Sequence, residues 1–265
     1  MNFGFQKIIM ATFKKRGYKK SLRNQKNEKF KDNSQTAEVF DKLDSGASAS
    51  EKWIAKYQNR ILSLLILIAF SVLAFISYDR YVKQPKEKLA MTEMSQAQLF
   101  FDQAILADNE SDSLFNLAIN GGEGRYGFLD ITKEFKNTKA ANIANYSIGM
   151  SYLNLKDYEN AIIFLEKFDS DDIFLKSIAL GSIGDSFSEL KQPNEALEYY
   201  EKAFNSSENI YTSPKFLYKA AIIGSQVGKT RLAIKYLKRI KDEYPDSYEA
   251  SFVDVQLGRL ENIDN

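Results

Sequence analysis

A spacing of side chains recurs three times in the C-terminal half of the chain, and it constrains the fold more than any other feature. Ile148-Gly149, Tyr152, Leu155, Ala161 and Leu165 return 35 positions later as Ile183-Gly184, Phe187, Leu190, Ala196 and Tyr200. They return again, 37 positions further on, as Ala220-Ala221, Gly224, Val227, Ala233 and Leu237. In each copy a small residue precedes an alanine by 12 positions: 149 to 161, 184 to 196 and 221 to 233. Two helices of a hairpin approach closely only where side chains are small, so Gly149 with Ala161, and Gly184 with Ala196, mark expected crossing points. Beyond Pro85 the apolar residues recur at intervals of three and four, which predicts helices rather than strands. A period in this range means stacked supersecondary units that bury a core only against their neighbours. The longer spacer before the third copy, around Ser206 to Ser213, reads as a loop ending at Pro214, a residue suited to a helix's first turn.

The second constraint is Ile61 to Tyr78, ILSLLILIAFSVLAFISY, eighteen residues without a charge, a proline or a glycine. As a helix it spans about 27 Å at 1.5 Å per residue, close to the hydrocarbon thickness of a bilayer. Trp53, Tyr57, Tyr78 and Tyr81 bracket it, where amphipathic aromatics favour the headgroup region. Some 60 residues precede the run, and Asp79-Arg80-Tyr81-Val82-Lys83 follow it. That layout predicts an uncleaved signal-anchor rather than a removable leader. Residues 1 to 60 carry 14 Lys/Arg and 6 Asp/Glu, a balance of 14−6 = +8. The remainder beyond the run carries 36−14 = 22 basic and 35−6 = 29 acidic residues, or −7. The positive-inside rule then predicts a cytoplasmic N-terminus and a periplasmic or exterior C-terminal part, in a single-pass protein of the inner membrane.

The domains expected are a basic, mostly disordered cytoplasmic tail over 1–52, an anchor over 53–82 and a periplasmic repeat domain over 83–265. Its repeats fall near 142–175, 177–213 and 214–247, with a capping helix over 248–262. Ala97 to Ala107 and Phe128 to Phe135 read as helices of a degenerate leading repeat. The tail segment Lys14 to Lys31 is rich in Lys and poor in aliphatics, so it has no core of its own. Its charge permits contact with anionic lipid or ribosomal RNA, but no nucleic-acid-binding module accompanies it, and no specific nucleic-acid partner is expected. Thr36 to Leu43 has Val39, Phe40 and Leu43 at helical spacing and reads as a small docking helix. Met10 opens MATFKKRGYKK and is a candidate start alongside Met1.

The pattern of Leu-Gly-like pair, aromatic, alanine and closing Pro245 resembles the tetratricopeptide repeat, although copy one has Asn145 where that family has Trp. The resemblance implies an all-α fold, a single transmembrane helix followed by a helical-hairpin solenoid with a concave groove. The basic tail, TAEVFDKLD, the anchor, and then YGFLDITKEFKNTKAANIANY, IGDSFSELKQPNEALEYYEKA and KRIKDEYPDS look like the single-anchor tetratricopeptide proteins of Bacteroidota. In layout the chain is similar to the ancillary subunit of the SecYEG translocon in other Gram-negative bacteria. What that resemblance implies is an accessory of export, with the translocon, periplasmic chaperones and unfolded exported chains as partners.

Composition narrows the chemistry. The chain has no cysteine and no histidine, which removes thiolate nucleophiles, disulfides, Cys/His metal sites and histidine-based acid–base catalysis. Gly224 to Thr230, GSQVGKT, misses the phosphate-binding spacing by one residue and falls at a hairpin turn rather than after a strand. Gly121 to Gly127, GGEGRYG, lacks the dinucleotide order and reads as an interhelical loop. Asp169, Asp171 and Asp172 lack the glycine and distal glutamate of a calcium loop and suit a helix N-cap. Glu195 and Glu198, with Lys191 and Lys202 near, fit surface ion pairs. No cofactor, no metal and no enzymatic activity are expected. By analogy with the repeat family, the groove-facing positions are Tyr146, Met150 and Leu153 in copy one, Ile178, Asp185 and Ser188 in copy two, and Lys215, Tyr218 and Ile222 in copy three. The apolar character of copy one suits a peptide segment of an unfolded client. The other reading open at this point is that leading helices cover part of that surface. The function expected is a non-catalytic, membrane-anchored adaptor or chaperone-like module. The alternative is a structural scaffold for division, gliding or outer-membrane assembly complexes. A purified repeat fragment that suppresses aggregation of an unfolded protein would favour the first. The oligomeric state is left open by the sequence.

Overall fold

The computed structural model describes residues 35–107, 110–122, 124–206 and 208–261. The tail segment Lys14 to Lys31 and the candidate start at Met10 lie outside the described residues. The described chain is helical: α1 (Gln35–Tyr78), a π-helical turn (Asp79–Lys83), α2 (Gln84–Leu106), α3 (Ser111–Asn120), α4 (Phe128–Glu134), α5 (Lys139–Asn154), α6 (Tyr158–Leu165), α7 (Ile173–Glu189), α8 (Pro193–Asn205), α9 (Ser213–Gln226), α10 (Thr230–Glu243) and α11 (Ala250–Glu261). The β-pairing among the described residues is a single bridge between Gly122 and Arg125. Two compact units divide the chain, Met1–Ile68 and Ala69–Asn265.

In the first unit, α1 begins at Gln35, so residues 35–52 of the segment read as tail are helical, and the docking segment Thr36 to Leu43 is part of the same helix. Growing an existing helix by one residue avoids the cost of nucleation, and the apolar run supplies that nucleus. One helix among the described residues, Trp53–Leu106, is long and apolar enough to cross a membrane, and none of its apolar window is buried against protein.

In the second unit the last ten residues of the apolar run, Ala69–Tyr78, lead without a loop through the π-turn into α2. Pro85 follows directly on that π-turn; inside a continuous helix a proline removes one backbone hydrogen bond and crowds the carbonyl four residues back, and the turn before it shifts the ladder by one residue, with Gln84 N donating to Asp79 O. Helices α2 and α5 run parallel. The start of α2 meets the start of α5, where Glu87 accepts hydrogen bonds from Lys139 N and Ala140 N, both at 2.8 Å. Lys86 Nζ donates to Lys136 O at 3.0 Å. Their far ends meet where Phe101 and Ala104 lie against Met150 and Asn154. Helix α3, which the periodicity alone does not single out, packs back on α2, with Phe101 edge-on to Phe115 and Phe128.

The three repeat copies form the hairpins α5/α6, α7/α8 and α9/α10, and α11 covers the last one with Val253, Leu257 and Leu260. The small residues lie at the crossings. A methyl built on Gly149 would fall 2.5 Å from Leu165 Cγ and 3.1 Å from Ala161 O. One on Gly184 would fall 2.7 Å from the Tyr200 ring. Gly181 makes the contact between copies, since a methyl there would fall inside the Phe216 ring. Gly224 is roomier, with its nearest neighbour, Ala233 Cβ, at 3.9 Å. Local chemistry sets the helix starts. Thr138, Asp157 and Asp172 accept backbone N–H bonds as N-caps of α5, α6 and α7, while Pro193 and Pro214 occupy first turns of α8 and α9. Asp172 thus does what the sequence suggests for it, through Phe174 N and Leu175 N.

Candidate functional site

The hairpin turns between the two helices of each copy share one backbone feature. Lys156, Lys191 and Gly228 occupy the equivalent place and all have positive φ, 62°, 59° and 75°. Left-handed backbone closes such turns at small cost for glycine and at about 1–2 kcal/mol for other residues. The GSQVGKT stretch therefore supplies a hairpin turn, with Lys229 N donating to Gly224 O at 2.8 Å.

Beside these turns, at the C-terminal ends of α5, α7 and α9, lies an open cavity of about 840 Å³. Its apolar surface comes from Leu153, Tyr218, Ile222 and Ile223, and Lys156, Lys191 and Glu189 supply its charge. Asp185 is held in its wall by partners from two other helices. It accepts from Tyr200 Oη of α8 at 2.7 Å and from Lys219 Nζ of α9 at 2.5 Å. Each side chain of the Asp185–Lys219 pair is about one third exposed, at 31% and 33%, so the charges are neither free nor fully desolvated. Burial pushes the Tyr200 hydroxyl well above its ordinary value, and the Asp185 carboxylate reinforces the shift. Tyr200 therefore stays a neutral donor, fixing Asp185 rather than titrating. Partial loss of water and the Glu189 carboxylate likewise raise Tyr158. What this arrangement offers is a shaped apolar floor with oriented hydrogen-bonding groups, suited to holding a chain segment.

The nine positions expected to face the groove separate. Leu153, Asp185, Ser188, Tyr218 and Ile222 line the cavity. The other four lie outside it. Tyr146 packs on Phe168, with ring centroids 5.1 Å apart. Met150 lies against the cluster built by the leading helices and lines a smaller recess with Phe101 and Phe115. Ile178 is half-buried in α7, and Lys215 is exposed, its ammonium over the Phe216 ring. For Met150 the reason is an extra layer, since α2 and α3 extend the stack on its N-terminal side and pack against it; Tyr146 instead joins Phe168 and the cluster of Ile162, Leu165, Ala179 and Ile183. Sequence reasoning did not single out Lys156, Tyr158 and Gln226, and read Lys191 only as a surface-pair neighbour of Glu195 and Glu198; all four line the cavity. Of these, only the periodic placement of Lys156, Lys191 and Gly228 offered a signal. Among the described residues no three metal-ligating side chains gather, and Glu198 pairs with Lys202 at 2.7 Å on an exposed face.

Residues 144–170 and 178–210 match a family model described as tetratricopeptide repeat, and residues 216–247 match a second model of the same description. The chain carries tetratricopeptide repeats. The matched segments coincide with the three hairpins around the cavity, and repeats of this kind are protein–protein interaction modules. The chain is also similar to "Uncharacterized protein ycf37" of Guillardia theta, 27% identical over 140 residues, which is 50% of this chain and 75% of that protein.

Proposed function

We propose that the protein is a single-pass, membrane-anchored, non-catalytic adaptor that binds segments of other proteins in the cavity at the ends of α5, α7 and α9. The cavity carries this reading. It joins an apolar floor, Leu153, Tyr218 and Ile222, to polar groups already oriented by Asp185 and Tyr200. Preorganised walls lower the ordering cost of binding. The Ile61–Tyr78 run is the anchor, and confinement to a membrane raises the effective concentration of weak binders. The excess of Lys and Arg before the run supports a cytoplasmic N-terminus and a periplasmic repeat domain. The resemblance in layout to single-anchor repeat proteins of Bacteroidota and to the SecYEG ancillary subunit supports a place beside the translocon, with emerging chains as clients and periplasmic chaperones as neighbours.

The test is in-cell photocrosslinking from Gln226, at the cavity, and from Glu198, on the opposite face, followed by gentle solubilisation and mass spectrometry. Translocon subunits and exported chains captured from Gln226 and not from Glu198 support the proposal. Leu153→Gln with Ile222→Gln, in a chain that keeps its helical spectrum, should remove those crosslinks. Capture of division or outer-membrane assembly proteins with no translocon would overturn the export role and favour a scaffold.

A further inference from the structure

The hairpin edge opposite the cavity joins the apolar helix directly. Because α2 continues from Ala69–Tyr78 and lies parallel to α5, the starts of both helices share an edge. Contacts carry that edge through the stack. The first turn of α5 meets the loop before α7 through Asn142, whose side chain donates to Asp169 O at 2.6 Å and accepts from Asp169 N at 3.1 Å. The start of α7 meets the loop before α9, where the Phe174 and Tyr211 rings lie 6.1 Å apart. That loop in turn shares a recess of about 450 Å³ with the loop before α11, between Ile210 and Tyr211 on one side and Tyr244 to Tyr248 on the other.

Large side chains stand out along this edge, each still largely exposed beside its aromatic or loop neighbours. Ile210, Tyr211 and Tyr248 are 66, 71 and 78% exposed, and Ile173 and Phe174 are also exposed. Near the anchor the edge carries Lys83, Lys86, Lys136 and Lys139. Farther out it carries Asp171, Asp246 and Glu208, the last paired with Arg239 at 2.9 Å. The eight steps from Tyr78 to Lys86 rise only about 12 Å as helix, so a bilayer around the apolar run places the start of this edge at headgroup depth. Tyrosine, with an apolar ring and a polar tip, favours that depth.

We infer that the edge formed by the starts of α2, α5, α7 and α9 and by the loops before α9 and α11 rests on the lipid surface, with Ile210, Tyr211 and Tyr248 as its interfacial contacts. This rests on the anchoring proposed above, and the occupant is the bilayer that holds the apolar helix. The cavity, at the other ends of the same helices, then opens away from the membrane.

The chain has no cysteine, so single labels are specific. Full-length chains with a fluorophore at Ile210→Cys, Asp246→Cys, Gln226→Cys or Lys229→Cys are reconstituted in phosphatidylcholine/phosphatidylethanolamine vesicles carrying a headgroup nitroxide quencher. Labels at 210 and 246 should be quenched at least about threefold more than those at 226 and 229, since α9 alone rises about 20 Å between the two edges. Tyr211→Ser with Tyr248→Ser should reduce quenching at 246. Equal quenching at both edges, in vesicles that keep the protein through an alkaline carbonate wash, overturns the edge contact and leaves the anchor standing. Protein lost in that wash overturns the anchor and the edge contact together.

Discussion

Replacing four helical glycines by alanine, one at a time, tests whether the repeat is held by close approach or only by general apolar burial. In a helix interior, alanine is favoured over glycine by about 1 kcal/mol, so each change starts with a gain. At Gly224 nothing opposes it, because the nearest atoms lie at 3.9 to 4.0 Å, ordinary contact distance. The expected result is a stabilisation of about 1 kcal/mol. At Gly149 the methyl meets Leu165 Cγ at 2.5 Å and Ala161 O at 3.1 Å. Leu165 is 1% exposed, so it has little space to retreat into, and the carbonyl belongs to a neighbouring backbone. Overpacking of this kind costs about 1–3 kcal/mol, which offsets or outweighs the gain, and the net change is a loss of up to about 2 kcal/mol. Gly184 behaves similarly against Tyr200, whose ring is held by its bond to Asp185. Gly181 is worst, because Phe216 is 2% exposed and fills the space outright. Thermal melts followed by circular dichroism in detergent should place Gly224→Ala above Gly149→Ala by roughly 2–12 °C for a domain of this size. Hydrogen exchange should show the lost protection confined to the altered hairpin and its neighbours, as expected where each repeat contacts only the next. A stabilising Gly149→Ala or a destabilising Gly224→Ala would refute the crossing-point argument.

Lys191→Gly should raise stability by about 1 kcal/mol by relieving left-handed backbone, as Gly228 does in the third copy, while weakening whatever crosslinks from Gln226; a loss of stability in urea melts would count against the turn assignment. Glu87→Ala removes two acceptors from the start of α5 and should cost about 1 kcal/mol, seen as faster exchange at Lys139 and Ala140; unchanged exchange there would mean Thr138 caps the helix alone. Burial first, then the hydrogen bond to Glu166 at 2.6 Å, pushes the Tyr199 hydroxyl up to about 12. A group raised in the folded state stabilises fully below its unfolded value near 10 and loses that contribution as pH climbs to about 12. Alkaline unfolding should therefore set in across pH 10–12, and in Tyr199→Phe its pH dependence should be shallower when stability and tyrosinate absorbance are read together.

The hairpins and their crossings were legible in the sequence because a small residue at a fixed distance from an alanine is a local pattern that packing repeats. The caps were legible for the same reason: Asp172 and Pro214 act on their own first turns. Helix α3 was not, since it has no crossing residue of its own and is fixed by Phe115 meeting Phe101 across the hairpin. The groove was legible only in part. Leu153, Tyr218 and Ile222 sit where the repeat register puts them, but Met150 is met by α2 and α3, which no spacing within copy one encodes, and Tyr146 packs on Phe168 at the seam with α7. The left-handed Lys156 and Lys191 carry no residue signal at all, because lysine rarely marks that backbone region. Their role emerges only from their equivalence to Gly228.

The unequal seating of the glycines sets an uneven tolerance to change along the stack. Gly181 lies against Phe216 with no room for a methyl, whereas Gly224, two turns beyond Phe216 on α9, would place one at ordinary contact distance. Ala220, Ala221 and Ile223 between Phe216 and Gly224 are buried, so α9 is held along its length. Its sequence can therefore change at Gly224, beside the cavity, without disturbing the seam between copies, whereas any side chain at Gly181 must displace Phe216.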